Sequence, residues 1–366
     1  MNTRERFLRI MNFKDVDRIP VVDLEGFIEE TIRLWSCQGY PASMRVEDYF
    51  GFEIRGMYHG SIDIDFGPIP SFVERTLKSD SEYITRVNRF GYTEKRSKSL
   101  PMRSYGYTEF PIGGREDWEE MKRRYGPQDI RRYPKCWGRD LFEHCRESSK
   151  PVGLGLVWGP GRGPKGGYGM GVKRFLSTFA RDPEMVHDMF STYADFVIEV
   201  TRPVLDEVDL DYVLIDEDGI AYRNGPLVSP GLYREFYLPH VKRVLEFFRD
   251  RGVGILGECS SGDIGPLIPL FLEAGYNLLC PLESACGMDA VKLREEYGRR
   301  LLLMGNISRQ SLMGGKKQVE REFEYKVPSL VESGGYIPAV DDIVMPDASF
   351  ESYRRYIELV KSYRMA

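Results

Sequence analysis

The sequence predicts an α/β fold, a (β/α)8 barrel with an N-terminal extension and an inserted β-hairpin, and three observations support this prediction. The chain has 366 residues, 42% of them hydrophobic and 29% charged, a size that suits one large barrel and a composition unlike disorder. From about residue 150 onward, short apolar strands alternate with amphipathic helices, as in parallel βα units. Eight candidate strands can be counted, the number that closes such a barrel. Residues 1–366 are therefore expected to form a single domain.

The first 150 residues are less regular than the rest. They predict a helix at Thr3–Met11, a strand at Arg18–Val22, a helix at Ile28–Trp35 and a second strand at Ile62–Ile64. Within them, residues 72–110 show the alternation of an antiparallel hairpin, which we expect to be inserted into a loop and to cover one mouth of the barrel.

The second half of the chain supplies the other six candidate strands. Helices between them have good start signals: Asp182-Pro183 and Ser229-Pro230 each combine a capping side chain with a proline at the first helical position. The last helix is expected from about Ser349 to Tyr363. The predicted strands are Val152–Leu156, Tyr212–Ile215, Gly254–Leu256, Tyr276–Leu279, Leu301–Met304 and Gly335–Pro338.

Composition argues against two classes of partner. The 51 Lys and Arg residues and 56 Asp and Glu residues are interleaved and give a net charge of −5, so no basic stripe is available to bind nucleic acid. The most apolar window, residues 264–282, is broken by prolines and is expected to be core and not a membrane span. Charged residues at the N-terminus predict a cytoplasmic protein whose cysteines are thiols.

Acidic and thiol side chains follow several of the predicted strands, where a parallel barrel places its reactive groups. They include Asp216 and Asp218, the pair Glu258-Cys259, then Glu283 and Asp342. A metal site of Cys259, Glu283 and Asp342 is one interpretation, because thiolates and carboxylates bind divalent metals. The other is that these acids cap helices and that the neighbouring cysteines are small buried hydrophobes.

Other candidates lie in predicted loops. The glycine-rich segment 158–171 follows a strand but lacks the phosphate-binding patterns, so Arg162 or Lys165 in it could bind an acidic group, or it is a plain solvent loop. His59, with Asp63 and Asp65, is expected near the barrel mouth, and a structural turn is the alternative explanation for the two acids.

Tyrosines are numerous, and several lie in or beside predicted loops. Tyr222 and Tyr336 could line a cavity for a flat or aromatic ligand, while a large core would use the same residues.

Several motifs resemble those of the uroporphyrinogen decarboxylase superfamily, and the resemblance extends over almost the whole chain. It implies a (β/α)8 barrel and one of two activities, namely cofactor-free decarboxylation of uroporphyrinogen or zinc-dependent methyl transfer involving a corrinoid. The motifs are Thr3-Arg4-Glu5-Arg6, Asp17-Arg18-Ile19-Pro20, Ser229-Pro230 with Phe236, Gly262-Asp263, Met304-Gly305-Asn306-Ile307 and Gly334-Gly335-Tyr336-Ile337-Pro338.

The resemblance also implies where a zinc ion would bind. The ligand positions of the methyltransferase branch fall on Cys259, Ser261 and Asp342, and Glu283 could replace the poor ligand Ser261. A shifted register would use Glu258 instead. Asp216 and Asp218 would then orient the substrate or the corrinoid. The arginine-rich N-terminal motif of the decarboxylase branch is not found, although Asp63 or Asp65 could match its pyrrole-binding aspartate.

These expectations together predict a metal-dependent methyltransferase that demethylates a small methylated substrate and passes the methyl group to a corrinoid (cobalamin) protein. Zinc is the expected metal. The alternatives are a cofactor-free decarboxylase of heme biosynthesis and a non-catalytic barrel that binds a tetrapyrrole or corrinoid. The sequence does not specify the methyl donor, and it leaves a homodimer open.

Overall fold

The computed structural model describes residues 1–99 and 105–364, and its centre is a six-stranded parallel sheet. Numbered in chain order, the strands are Val22–Asp23 (β1), Ile54–Arg55 (β2), Arg75–Ser79 (β3), Tyr83–Val87 (β4), Thr93–Ser97 (β5), Tyr105–Glu109 (β6), Gly153–Val157 (β7), Tyr212–Asp216 (β8), Ala221–Tyr222 (β9), Gly225–Pro226 (β10), Ile255–Ser260 (β11), Leu278–Pro281 (β12), Leu302–Ile307 (β13) and Tyr336–Val340 (β14). The central sheet has the order β14-β13-β12-β11-β8-β7.

Helices connect these strands. The α-helices are Thr3–Met11 (α1), Glu29–Ser36 (α2), Val46–Phe50 (α3), Arg115–Lys122 (α4), Arg139–Arg146 (α5), Val172–Arg181 (α6), Pro183–Leu205 (α7), Pro230–Leu232 (α8), Leu238–Asp250 (α9), Ile268–Ala274 (α10), Ala290–Tyr297 (α11), Arg309–Met313 (α12), Lys316–Ser333 (α13) and Phe350–Ser362 (α14). Single turns of 3-10 helix occur at Met57–His59, Ile130–Arg132, Gly265–Leu267, Ser284–Cys286 and Gly298–Arg300, a longer 3-10 segment at Gly163–Gly169, and a π-helical turn at Tyr233–Tyr237.

The six strands predicted in the second half are confirmed, with ends that differ from the prediction by at most four residues. They form because their apolar side chains are buried on both faces of a parallel sheet, as the fully buried β13 and β14 show. The predicted helix starts are confirmed too, since the Asp182 side chain accepts the Met185 amide and the Ser229 side chain accepts the Leu232 amide.

The N-terminal strands differ from the prediction. Only Val22 of the predicted strand at 18–22 is in β1, and β1 pairs in parallel with β2 at residues 54–55. Ile62–Ile64, the predicted second strand, is irregular although both isoleucines are buried. The apolar alternation there reflects burial in the core and not a strand ladder, because strands and buried irregular segments share that pattern.

The strand pairing that would close the predicted barrel is not seen in the described residues. In the described residues, the β1–β2 pair forms no ladder with the six-stranded sheet. The single bridges Phe27–Val344 and Gly60–Leu154 join the segments that follow β1 and β2 to the segment after β14 and to β7. The turn at 57–60 packs directly on β7, where a Cβ at Gly155 would lie 1.8 Å from the Tyr58 carbonyl oxygen. The two sheets nevertheless share one apolar cluster, whose members include Val22, Ile54, Leu214, Leu278, Met304 and Ile337.

The insertion at 72–110 is larger than the predicted hairpin, and this corrects the prediction. It is a four-stranded antiparallel sheet of order β3-β4-β5-β6, and residues 100–104 between β5 and β6 lie outside the described residues. The third strand was not apparent in the sequence because its buried positions are polar: Thr93, Glu94 and Ser97 are covered, and Glu94 pairs with Arg86. Across residues 1–99 and 105–364, no helix is long and apolar enough to span a bilayer.

Candidate active site

A cavity of about 420 Å³ opens at the carboxyl ends of the parallel strands. Its walls come from the segment after β1, the turn at 57–59, the glycine-rich segment and the ends of β8, β11 and β12. Ligand sites of parallel α/β folds occur at this end of the strands. The lining residues are Asp23, Leu24, Glu25, Gly26, Arg55, Gly56, Tyr58, His59, Lys165, Asp216, Asp218, Cys259, Ser260, Ser261 and Pro281.

Glu25 is a cavity residue that was not predicted from the sequence. It lies two residues after β1, and burial raises the pKa of its carboxyl group to about 7, with the Tyr58 hydroxyl offsetting part of the rise. The carboxylates of Asp216 and Asp342 act on it in the same direction as burial. Its position just after a strand was the available signal, but the prediction started that strand four residues too early and ended it one residue too early, at Val22.

Asp216 and Asp218 end β8 and begin the loop after it, as predicted. Burial raises the pKa of Asp216 to about 6, while the positive charges of Lys165 and Arg162 oppose the shift. Asp218 forms an ion pair with Lys165, and its amide donates to the Asp216 carboxylate at 2.7 Å. Arg162 is exposed, with its guanidinium 5.6 Å from the centre of the Phe90 ring in the inserted sheet.

His59 and Asp63 are separated by the structure. His59 lines the cavity and is exposed at its rim, whereas the exposed Asp63 does not contribute to the lining. Asp65 forms an ion pair with Arg89 of the inserted sheet and accepts the Gly67 amide at 2.8 Å. Asp65 therefore links the inserted sheet to the irregular segment that follows the turn at 57–60, which is a structural role.

The predicted metal ligands are not gathered into one group. Cys259 lines the cavity, but the Glu283 carboxylate accepts the Gly262 amide at 2.9 Å and Asp342 pairs with Arg309 at 3.1 Å. Among the described residues, no three His, Cys, Asp or Glu side chains are close enough together to hold a metal ion. Because two of the three donors have other partners, this arrangement does not fit the zinc site predicted from Cys259, Glu283 and Asp342.

Glu258 and Tyr336 lie outside the cavity, which corrects the roles predicted for them. Successive side chains of a strand point to opposite faces, so Cys259 faces the inner cluster and Glu258 faces the helices. Tyr336 is likewise buried against the helix layer, and its hydroxyl donates to the Gly305 carbonyl at 3.1 Å. Tyr222 is 54% exposed in the short strand β9, beside the cavity rim.

A second acidic pair is buried behind the sheet. Glu217 accepts hydrogen bonds from the hydroxyls of Tyr233 and Tyr276 at 3.2 and 3.0 Å, and burial raises its pKa to about 7. Neither carboxyl oxygen of Glu258 has a hydrogen-bond partner, and burial raises the pKa of this group well above its usual value. Both residues are fully buried, so each is stabilised in its protonated form.

Cys259, which lines the cavity, lies next to Cys280, a residue that the sequence predicted only as part of the core. Cys259 and Cys280 are register partners on β11 and β12, and their sulfur atoms lie 2.7 Å apart. Both are buried free thiols. Burial raises the pKa of the Cys259 thiol well above its usual value, so the neutral thiol is the resting form.

Comparison with known proteins finds one family whose sequence pattern matches more than half of this chain. The family described as uroporphyrinogen decarboxylase (URO-D) matches residues 165–363, a segment that includes Asp216, Cys259 and Asp342 but not Glu25 or Tyr58. No curated protein is significantly similar in sequence.

Solved structures are similar over nearly the whole chain. A methyltransferase from Methanosarcina mazei superposes with a TM-score of 0.56 at 14% identity, covering 99% of this chain and 98% of that one. A B12-independent methionine synthase from Shewanella sp. W3-18-1, in complex with selenomethionine, gives a TM-score of 0.41 at 10% identity and covers 94% and 98%. At 14% identity, the first likeness shows a shared fold.

Proposed function

We propose that this chain, which belongs to the uroporphyrinogen decarboxylase family, demethylates a small substrate in the 420 Å³ cavity and passes the methyl group to the corrinoid of a partner protein. The corrinoid would supply the nucleophile that accepts the methyl group. Zinc takes no part in the steps derived below, because the residues expected to bind it are not assembled.

The charge of the cavity lining is the observation that carries this proposal. Its two strong cations are already paired, Arg55 with Asp23 at 2.7 Å and Lys165 with Asp218. Glu25 and Asp216 remain as additional carboxyl groups. A polycarboxylate such as uroporphyrinogen needs unpaired cations to bind its carboxylates, and the described lining offers it none beyond the rim residue His59. A neutral or cationic methylated compound suits this lining better.

Glu25 and Asp216 supply the acid that demethylation requires. When the bond between the methyl carbon and its oxygen or nitrogen breaks, the electron pair stays on the heteroatom, which then takes a proton. A carboxyl group with a pKa near the working pH is well suited to give that proton. The pKa values of Glu25 and Asp216, about 7 and about 6, meet this requirement. Tyr58 and the walls of the cavity would orient the substrate.

The test is transfer of a methyl group to free cob(I)alamin, with a panel of methoxy compounds and methylated amines as donors. We expect formation of methylcobalamin with at least one donor and a rate that falls as the pH rises through about 7, because the general acid must be protonated. Glu25→Gln should lower the rate by about 10²–10⁴-fold and remove this pH dependence. Glu29→Gln, which alters an exposed acid of α2, is the matched control and should behave like the wild type.

Two results would contradict the proposed methyl transfer. Release of carbon dioxide from uroporphyrinogen at a useful rate, with no methyl transfer from any donor, would favour the decarboxylase alternative. Binding of a corrinoid or tetrapyrrole without turnover of any substrate would favour the non-catalytic alternative.

A further inference from the structure

The paired thiols of Cys259, which lines the cavity, and Cys280, which lies behind it, have no role in the function proposed above. Cys259 and Cys280 occupy opposing positions on the neighbouring parallel strands β11 and β12. Both side chains point into the same inner cluster, together with Leu214 and Leu278. The strand register and the shared face of the sheet place the two cysteine side chains next to each other, and the sulfur positions agree with this placement.

The Cys259 and Cys280 thiols lie close enough together to form a disulfide bond. Neighbouring strands lie about 4.8 Å apart, which is within the range of Cα separations that disulfides span, about 4.4–6.8 Å. The sulfur atoms are 2.7 Å apart, so they need to approach by roughly 0.65 Å to reach the bonded distance of about 2.05 Å. Two sulfurs bound to one tetrahedral zinc ion would be farther apart, about 3.8 Å.

Access to the two thiols is unequal. Cys259 lines the cavity, whereas Cys280 is completely buried and does not contribute to the lining. A small oxidant that enters the cavity therefore reaches the Cys259 sulfur first, and Cys280 is held beside it as the second thiol. The buried Cys145 and the exposed Cys37 are not paired with another cysteine in this way.

We propose that Cys259 and Cys280 form a reversible disulfide by exchange with a low-molecular-weight disulfide that enters the cavity. The Cys259 thiolate attacks one sulfur of that disulfide, a mixed disulfide forms, and one small thiolate leaves. The Cys280 thiolate then attacks the Cys259 sulfur, and the second small thiolate leaves. Two protein thiols are oxidised, one small disulfide is reduced to two thiols, and the two thiol protons pass to the departing thiolates.

The disulfide changes the cavity in two ways. It removes the Cys259 thiol from the cavity floor, and it links β11 to β12 where both strands reach the cavity. Oxidation would therefore change the binding site while the fold stays intact. Because the Cys259 side chain is only 2% exposed, we expect exchange over hours.

The experiment uses the full chain and 2-hydroxyethyl disulfide, a small neutral disulfide, as the probe. After incubation, free thiols are blocked with N-ethylmaleimide under denaturing conditions, and the protein is digested without reduction and analysed by mass spectrometry. We expect a cross-linked pair of peptides containing Cys259 and Cys280, a loss of two hydrogen atoms from the intact chain at these sites, and full reversal by dithiothreitol.

Two variants make the result decisive. Cys280→Ser should accumulate a mixed disulfide of 2-mercaptoethanol with Cys259, because the second thiol is absent. Cys286→Ser, which alters a half-buried cysteine nearby, should retain the cross-link. The proposal is overturned if Cys259 and Cys280 are both fully alkylated after incubation, or if the 2-mercaptoethanol adduct is found only on the exposed Cys37 and Cys136 while circular dichroism shows a folded protein.

Discussion

Asn306 shows how a single residue can fix a long stretch of backbone beside the cavity. Its φ angle of 63° lies in the left-handed region, which asparagine tolerates better than most residues. Its side-chain amide donates to the carbonyls of Leu282 and Met288 at 2.6 and 2.9 Å and accepts the Ala290 amide at 2.9 Å. One buried side chain therefore satisfies three backbone groups of the segment that carries Glu283.

Asn306→Ala should lower the free energy of unfolding by about 2–4 kcal/mol, because it leaves several of these buried groups without partners. Urea denaturation monitored by circular dichroism measures the change. Asn12→Ala is the control: Asn12 is exposed, its side chain bonds only the Leu8 carbonyl, and its loss should cost about 1 kcal/mol or less. Equal effects of the two substitutions would contradict the role assigned to Asn306.

Among the elements, the turn at 57–60 can be tested through its contact with β7, because this contact positions Tyr58. Gly155→Ala would introduce a Cβ 1.8 Å from the Tyr58 carbonyl oxygen, so the turn must move away from the strand. We expect hydrogen exchange of residues 57–61 to become at least about tenfold faster, which corresponds to about 1.4 kcal/mol of lost local stability.

Gly254→Ala is the matched control for this substitution. It adds the same methyl group directly before β11, where no neighbouring atom lies within 4 Å. Exchange of residues 57–61 should be unchanged in this variant. If Gly155→Ala also leaves their exchange unchanged, the turn is not held by close contact with β7.

The elements that could be predicted from the sequence are those whose buried side chains are apolar. The strands of the second half begin with runs of apolar residues, so their positions were evident, and the acids at the end of β8 followed from them. β5 was missed because its buried residues are polar, and the closure was misjudged because Gly60 and Gly155 replace strand pairing by close approach. Glu25 was missed with β1, and the partners that keep Glu283 and Asp342 from a metal site depend on tertiary contacts.

For the whole molecule, buried carboxyl groups make stability depend on pH in an unusual direction. Burial raises the pKa of Glu217 and of Glu25 to about 7 and that of Asp216 to about 6. In the unfolded chain such groups titrate near 4. Between these values the folded state binds more protons than the unfolded state, so the free energy of unfolding falls as the pH rises and levels off above about pH 7.

Glu217 allows this dependence to be measured at one site, because it is fully buried and apart from the cavity lining. Its ionisation should cost the wild type about 2–3 kcal/mol between pH 5 and pH 8, given a shift from about 4.5 to about 7. Glu217→Gln cannot ionise, and its amide oxygen can still accept from Tyr233 and Tyr276. The variant should therefore gain about that much stability relative to the wild type as the pH rises from 5 to 8.

Urea denaturation across this range measures the difference, with the exposed Glu235→Gln as a control that should run parallel to the wild type. Parallel curves for Glu217→Gln and the wild type would show that Glu217 is already ionised in the folded protein at pH 5, which contradicts the raised pKa.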